Sequence, residues 1–158
     1  MMFRSVETFL RPRTVAIVGA SETGGAGWPK GLYDNFAHEG FPAKTYLINP
    51  RREKLWGQKV YPDFASLPER IDLAVVIIPA EAIPNVLSEA ADAGLQNALV
   101  FASRFGEGGD EVGAKRSEAL REISDQTGLR ISGPNCMGAV SLPERLLFYP
   151  TPRVRGLP

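Results

Sequence analysis

The sequence predicts an α/β fold, a Rossmann-like doubly wound parallel sheet in a single domain, and three observations support this prediction. Apolar, strand-like runs alternate with amphipathic helical segments along the chain. Three of the helical segments end at a glycine, and a strand follows each within a few residues. Within the predicted strand 72–78, residues 73–78 are apolar on both faces, which is typical of a central parallel strand covered by helices on both sides. This alternation indicates βαβ units with right-handed crossovers.

The first half of the chain is predicted to contain three strands and one helix. Residues 14–20 form a buried strand, and a helix over about 29–38 ends before Gly40. A second strand covers 44–49. A short strand near 59–61 is expected inside a stretch interrupted by prolines.

The second half continues the alternation. It contains, in order, strand 72–78, helix 81–93, strand 97–103, helix 110–127 and strand 129–132. The segment 142–158 contains four prolines and three arginines, so we interpret it as a linker outside the core that leads toward a following domain. The predicted domain therefore covers 1–141.

Composition excludes several classes of function. The 158 residues carry 18 Lys and Arg against 18 Asp and Glu, and this net charge of zero argues against nonspecific nucleic-acid binding. The single cysteine, Cys136, rules out an internal disulfide and a cysteine-based metal cluster. No run approaches the roughly 20 apolar residues that span a bilayer, and the start lacks a signal peptide. We expect a cytoplasmic protein without nucleic-acid, membrane or metal partners.

An open parallel sheet binds its ligand at the carboxyl ends of its strands, which selects five loops as candidates. Gly24, Gly25 and Gly27 follow the first strand, where exposed N–H groups and a helix N-terminus suit an anion. The spacing does not match G-x-G-x-x-G. Arg51 and Arg52 follow the second strand, where an NAD-binding domain normally has an acid. Together these features indicate a nucleotide with an extra phosphate.

Four segments carry a family resemblance. Val-Ala-Ile-Val-Gly-Ala-Ser, Leu-Ile-Asn-Pro-Arg-Arg, Leu-Pro-Glu-Arg-Ile-Asp-Leu-Ala-Val-Val-Ile-Ile-Pro-Ala and Ile-Ser-Gly-Pro-Asn-Cys-Met-Gly occur in this order. The chain resembles the CoA-binding domain of the NDP-forming acyl-CoA synthetases, relatives of the succinyl-CoA synthetase alpha subunit. The resemblance extends from about Phe9 to Gly138, and the Gly-Pro-Asn-Cys turn is its most specific part.

The resemblance implies five groups of contacts to coenzyme A. The phosphates are held by Gly19, Ala20, Ser21, Gly27 and Lys30, and the 3′-phosphorylated ribose is contacted by Asn49, Pro50, Arg51 and Arg52. The adenine or pantetheine is enclosed by Ile78, Pro79, Ala80 and Ile83. The pantetheine arm lies along Ser103, Arg104 and Phe105, and the thiol end lies near Asn135 and Cys136.

The resemblance places catalysis elsewhere. The phosphorylated histidine and the ATP-grasp nucleotide site belong to other domains or subunits of the ligase, so no catalytic residue is assigned in this chain. His38 is the only histidine, and its position near the end of a predicted helix is explained by the helix dipole. The implied role is therefore to hold coenzyme A for an acid–CoA ligase of the ADP-forming kind.

Simpler interpretations stay open for several of these residues. Arg51 and Arg52 are also explained as a solvated surface pair, Arg104 as a surface residue or helix cap, and Cys136 as a packing residue. Two other functions remain: an NADP-binding Rossmann domain of an oxidoreductase or regulator, and a stand-alone CoA-binding protein. The segments 24–30 and 103–106 depart from the usual family pattern.

Overall fold

The computed structural model describes residues 6–22, 27–37 and 41–150. Its strands are β1 (Thr14–Val18), β2 (Lys44–Ile48), β3 (Lys54–Leu55), β4 (Gln58–Tyr61), β5 (Leu73–Val76), β6 (Asn97–Val100), β7 (Arg130–Ser132), β8 (Ala139–Ser141) and β9 (Leu146–Phe148). Its helices are α1 (Glu7–Leu10), α2 (Trp28–Phe36), α3 (Ile83–Asp92), which a 3-10 turn (Ala80–Ala82) precedes, and α4 (Glu111–Thr127). None of the helices among these residues is long and apolar enough to cross a membrane.

Seven strands form one sheet in the order β3-β4-β2-β1-β5-β6-β7, and β8 and β9 form a separate hairpin. All pairs in the large sheet are parallel except β3 with β4. The chain runs outward from β1 through β2 to β4, then returns to β5 on the other side of β1. The predicted Rossmann-like fold is confirmed, and the strand order reverses between β1 and β5.

The core lies on both faces of this sheet because neighbouring residues of a strand point to opposite sides. Ala16 and Val18 of β1 face the layer that contains α3 and α4. Val15 and Ile17 face the layer that contains α2 and the β8–β9 hairpin. All four side chains are at most 3% exposed, so β1 is buried on both sides.

The hairpin corrects one expectation from the sequence. Leu146 and Phe148 are 2% and 0% exposed, and the Phe148 ring packs edge-on against Phe36 with ring centroids 5.4 Å apart. The Asn35 Nδ2 donates to the Tyr149 carbonyl at 2.6 Å. The prediction that 142–158 lies outside the core is therefore wrong at Leu146 and Phe148, which complete the α2 layer, whereas Leu142 is exposed. The segment 151–158 lies outside the described residues, and the domain division stays a prediction.

The predicted strands and helices between residues 14 and 132 are all present, with ends that differ by a few residues. The sequence did not predict α1, β3 or the hairpin. Gly24, Gly25, His38 and Gly40 lie outside the described residues.

Candidate binding site at the carboxyl edge of the sheet

Two clefts open at the carboxyl ends of the strands, where the strand order reverses. The larger cleft has a volume of about 850 Å³ and lies between the loops after β1, β2, β4 and β5 and the helix α3. The smaller cleft has a volume of about 480 Å³ and extends to the loop after β6. Ile77, Ile78 and Pro79 line both clefts. The clefts therefore meet at this segment and together follow the edge from β2 to β6.

The loop after β1 approaches the neighbouring strand very closely. Gly19 has φ +90°, and a Cβ at this position would lie 2.2 Å from the Ile77 carbonyl oxygen, so the geometry requires glycine. The N–H groups of Gly19 and Ala20 donate to the Ile48 carbonyl at 2.9 and 3.3 Å. These two N–H groups therefore hold the loop against β2, and they are not free to donate to the phosphates that the resemblance assigns to Gly19 and Ala20.

The next residues of this loop are better placed for a ligand. Ser21 lines the larger cleft, whereas Ala20 is fully buried and offers a ligand no free group. Gly27, with φ +79°, is exposed and precedes the first residue of α2. The structure thus corrects Ala20 from a contact to a support of the loop, whereas Ser21 lines the larger cleft and Trp28, the first residue of α2, lines the smaller one.

Asn49 connects the loops after β1 and β2. Its Nδ2 donates to the Ala20 carbonyl, and its Oδ1 accepts from the Arg51 N–H, both at 2.8 Å. The Asn49 N–H donates to the Tyr61 carbonyl at 2.9 Å. Asn49 also lines the larger cleft. One side chain therefore fixes the position of the first loop relative to Arg51.

The larger cleft mixes one cation with several carboxylates. Arg51 is exposed and is the only lysine or arginine among the described residues of its lining, which Arg52 does not join. Asp63, Glu81 and Glu89 line the same cleft. Hydrogen bonds from Ser66 hold the pKa of the Asp63 carboxyl below its usual range. The cleft thus offers a guanidinium for a phosphate and carboxylates that accept from amino or hydroxyl groups.

The apolar lining of the larger cleft differs in part from the prediction. Ile78 and Pro79 reach both clefts as expected, and Pro50 lines the larger one. Ala80 and Ile83 are 5% and 0% exposed and pack in the core, which corrects their predicted contact role. Residues that sequence reasoning missed take their place: Pro62, Phe64 and Val86.

Lys30 does not lie among the lining residues of either cleft. Its ammonium group pairs with the Asp34 carboxylate one helical turn away. It also lies 5.9 and 5.8 Å from the ring centroids of Tyr33 and Trp56. These contacts direct the side chain toward the β3–β4 turn, and the contact of Lys30 with a phosphate stays a prediction.

The smaller cleft ends in aromatic and small residues. Trp28 and Phe101 pack edge to face at 5.5 Å, and Ser103 completes this end as predicted for its loop. Phe105 is 5% exposed, and it anchors the loop in the core rather than contacting the cleft, which corrects its predicted role. Arg104, between Ser103 and Phe105, is exposed.

The turn after β7 lies beside the end of β6. The Asn135 N–H donates to the Ala102 carbonyl at 2.9 Å, and Ala102 lines the smaller cleft. The Cys136 thiol donates to the Val100 carbonyl at 3.2 Å. Burial raises the pKa of this thiol, so Cys136 is neutral and packs against the edge of the sheet. Neither residue lines the two clefts, but both lie next to the smaller one.

The sequence matches the family described as CoA binding domain over residues 13–141. Acetate–CoA ligase (ADP-forming) II of Archaeoglobus fulgidus is 36% identical over 131 residues, which are 82% of this chain and 19% of that protein. Acetate–CoA ligase (ADP-forming) I subunit alpha of Pyrococcus furiosus is 34% identical over 159 residues, which are 96% of this chain and 34% of that subunit.

A solved structure gives the same result. The apo form of the dinucleotide forming acetyl-coenzyme A synthetase 1 of Ca. Korarchaeum cryptofilum superimposes with a TM-score of 0.85 at 31% identity. The match covers 94% of this chain and 32% of that one. The chain thus spans about a fifth to a third of the length of these relatives.

Proposed function

Because the chain belongs to the CoA-binding domain family, we propose that it holds coenzyme A for thioester formation by an ADP-forming acyl-CoA ligase. The relatives that support this proposal include both an undivided ligase and a separate alpha subunit. The acid used and the remaining ligase parts belong to the same proposal, since the chain spans only a part of each relative.

The two clefts that meet at Ile77–Pro79 carry this proposal. The larger cleft has charged side chains, among them the Arg51 guanidinium, whereas the described lining of the smaller cleft is uncharged and includes Trp28 and Phe101. Coenzyme A has the same order of chemistry, a phosphorylated nucleoside followed by a long, less polar arm. We therefore place the adenosine 3′-phosphate end in the larger cleft and the pantetheine arm along Ile78 and Pro79 into the smaller cleft.

Each group of the site has a role in this arrangement. The Arg51 guanidinium offers two parallel donors to the 3′-phosphate, and Arg52 adds charge nearby. Ser21 and the N-terminus of α2 face the pyrophosphate. The carboxylates of Asp63 and Glu89 accept hydrogen bonds from the base or sugar. The thiol end then emerges beside the Asn135 turn.

When bound, coenzyme A supplies the thiol that accepts the acyl group. This chain's own residues bind and orient it. Activation of the acid and transfer of the phosphoryl group are assigned to the catalytic domains or subunits of the ligase.

Calorimetric titration with CoA, dephospho-CoA, NADP and NAD tests the proposal. We expect CoA to bind best and dephospho-CoA to bind about 10- to 100-fold more weakly, because each lost charged hydrogen bond is worth about 1.5–3 kcal/mol. The double variant Arg51→Ala/Arg52→Ala should bind CoA as weakly as the wild type binds dephospho-CoA.

Arg121→Ala is the matched control, because Arg121 is exposed on α4 and is absent from the lining of both clefts. This variant should bind CoA like the wild type. Preference for NADP over CoA would contradict the proposal and support the oxidoreductase alternative.

A further inference from the structure

Four non-glycine residues among the described ones have positive φ, and one of them has no local explanation. Trp56 and Arg145 lie in the turns of the β3–β4 and β8–β9 hairpins, where such angles are common. Asn135, with φ +54°, belongs to the residue types that tolerate this region. Arg104 has φ +75° in a loop that is not a hairpin. Holding a long side chain there costs free energy, which makes the position a candidate for function.

The loop around Arg104 is held firmly against α4. The Arg104 carbonyl accepts from Arg116 Nη1 at 3.1 Å, and the Phe105 carbonyl accepts from Ser117 Oγ at 2.5 Å. A Cβ on Gly113 would lie 2.2 Å from the Gly106 nitrogen, so helix and loop touch without side chains between them. The backbone therefore fixes where the Arg104 side chain leaves the loop.

The guanidinium of Arg104 is exposed, and no ion pair joins it to a carboxylate within the described part of the chain. The neighbouring charged groups have other partners. Arg116 donates to the Arg104 carbonyl, and the Glu107 carboxylate accepts from the Phe105 N–H at 2.7 Å. Cys136, on the adjacent turn, is a neutral thiol.

Arg104 follows Ser103, which lines the smaller cleft, and it lies on the loop next to the Asn135 turn. We propose that the Arg104 guanidinium attracts the thiol end of bound coenzyme A and stabilises its thiolate. This inference rests on the proposed function, which places that end of the cofactor beside the smaller cleft.

The chemistry is a single proton transfer. The S–H bond of the cofactor breaks, its electron pair stays on sulfur, and the proton passes to water. A nearby cation favours the charged form and so lowers the pKa of a thiol. Since the thiolate is the nucleophile, a larger thiolate fraction at neutral pH prepares the cofactor to accept an acyl group.

The pH dependence of alkylation tests this inference. CoA is first shown by calorimetry to bind each variant, and is then alkylated by iodoacetamide in the presence of excess protein. Chromatography follows alkylated CoA alone, so Cys136 does not interfere. With the wild type, we expect the alkylation rate of bound CoA to reach half its maximum at a pH about one unit below the midpoint for free CoA.

Arg104→Gln and Arg104→Gly should return the midpoint to the free value, and Arg104→Lys should keep most of the shift. The glycine variant also suits the positive φ, so it provides a folded comparison if the glutamine variant is unstable. Arg121→Gln is the control and should behave like the wild type.

An unshifted midpoint for CoA bound to the wild type would overturn the inference, as would a shift that persists in Arg104→Gln and Arg104→Gly. Failure of the wild type to bind CoA in the preceding titration would instead overturn the proposed function, and this inference with it.

Discussion

The two edges of the sheet are built differently. At the amino edge, polar side chains bind one another: Asn97 is fully buried, its Nδ2 donates to the Asp72 carbonyl at 2.7 Å and to Thr8 Oγ1 at 3.0 Å, and its Oδ1 accepts from Arg130 Nε at 2.8 Å. At the carboxyl edge, Arg51 and Arg104 are exposed and the clefts open between loops.

The difference separates stability from binding. The hydrogen bonds of Asn97 join the starts of β5, β6 and β7 and attach α1 to the sheet. At the other edge, Arg51 lines the larger cleft and makes no ion pair with the described residues, so its guanidinium can bind a ligand. We therefore expect substitutions at the amino edge to change the free energy of unfolding, and substitutions at the carboxyl edge to change affinity.

The largest effect on stability is expected for Asn97→Ala. The substitution removes the hydrogen bonds that the buried Asn97 side chain makes with the Asp72 carbonyl, Thr8 Oγ1 and Arg130 Nε, at a cost of about 3 kcal/mol. Urea unfolding measures this loss. Gln126→Ala, which removes an amide side chain at an exposed position of α4, should change stability by less than about 0.5 kcal/mol. Equal losses for both variants would show that the network at this edge adds little.

Gly19→Ala is expected to be the exception to this separation of stability from binding. It lies at the carboxyl edge, but it should change both the free energy of unfolding and the affinity for CoA. A side chain at φ +90°, with its Cβ 2.2 Å from the Ile77 carbonyl oxygen, should destabilise the fold by about 2 kcal/mol. The shifted loop would also carry Ser21 away from its position in the larger cleft, so the affinity for CoA should fall. Unfolding and calorimetry on the same sample measure the two effects. An unchanged stability would mean that the loop is free to shift.

The smallest effect concerns Tyr46, near the amino edge. Its hydroxyl donates to the Glu69 carboxylate, which raises the pKa of Tyr46 to about 12. Because the folded pKa lies above the unfolded value of about 10, this contribution is complete below pH 10 and is lost as the pH rises toward 12. The stability difference between wild type and Tyr46→Phe should shrink over this range in urea unfolding. A difference independent of pH would contradict the assignment.

Local sequence patterns were sufficient for the order of strands and helices. Apolar runs such as 73–78 and glycines after helices depend only on residues close together in the sequence. The same patterns placed Gly19, Arg51, Pro79 and Ser103 at the ends of strands, where the structure has them. Their position follows from the topology of a parallel sheet, which the sequence predicted.

Features that depend on distant partners were not predictable in this way. Phe148 lies among prolines and arginines in the sequence, and only its packing on Phe36 reveals it as core. Lys30 is one turn from Asp34, but the aromatic ring of Trp56 comes from another part of the chain. The Ile48 carbonyl that binds the Gly19 N–H belongs to a different strand.

The buried β8–β9 hairpin determines where this domain can be joined to other parts of a protein. Shortening the chain after residue 141 would remove Leu146 and Phe148 and open the layer next to α2 to water. The Pro150 carbonyl also lies against Gly31, where a Cβ would come within 2.3 Å. Anyone who fuses the unit to other ligase parts, or produces it as a separate subunit, should therefore place the junction beyond Pro150.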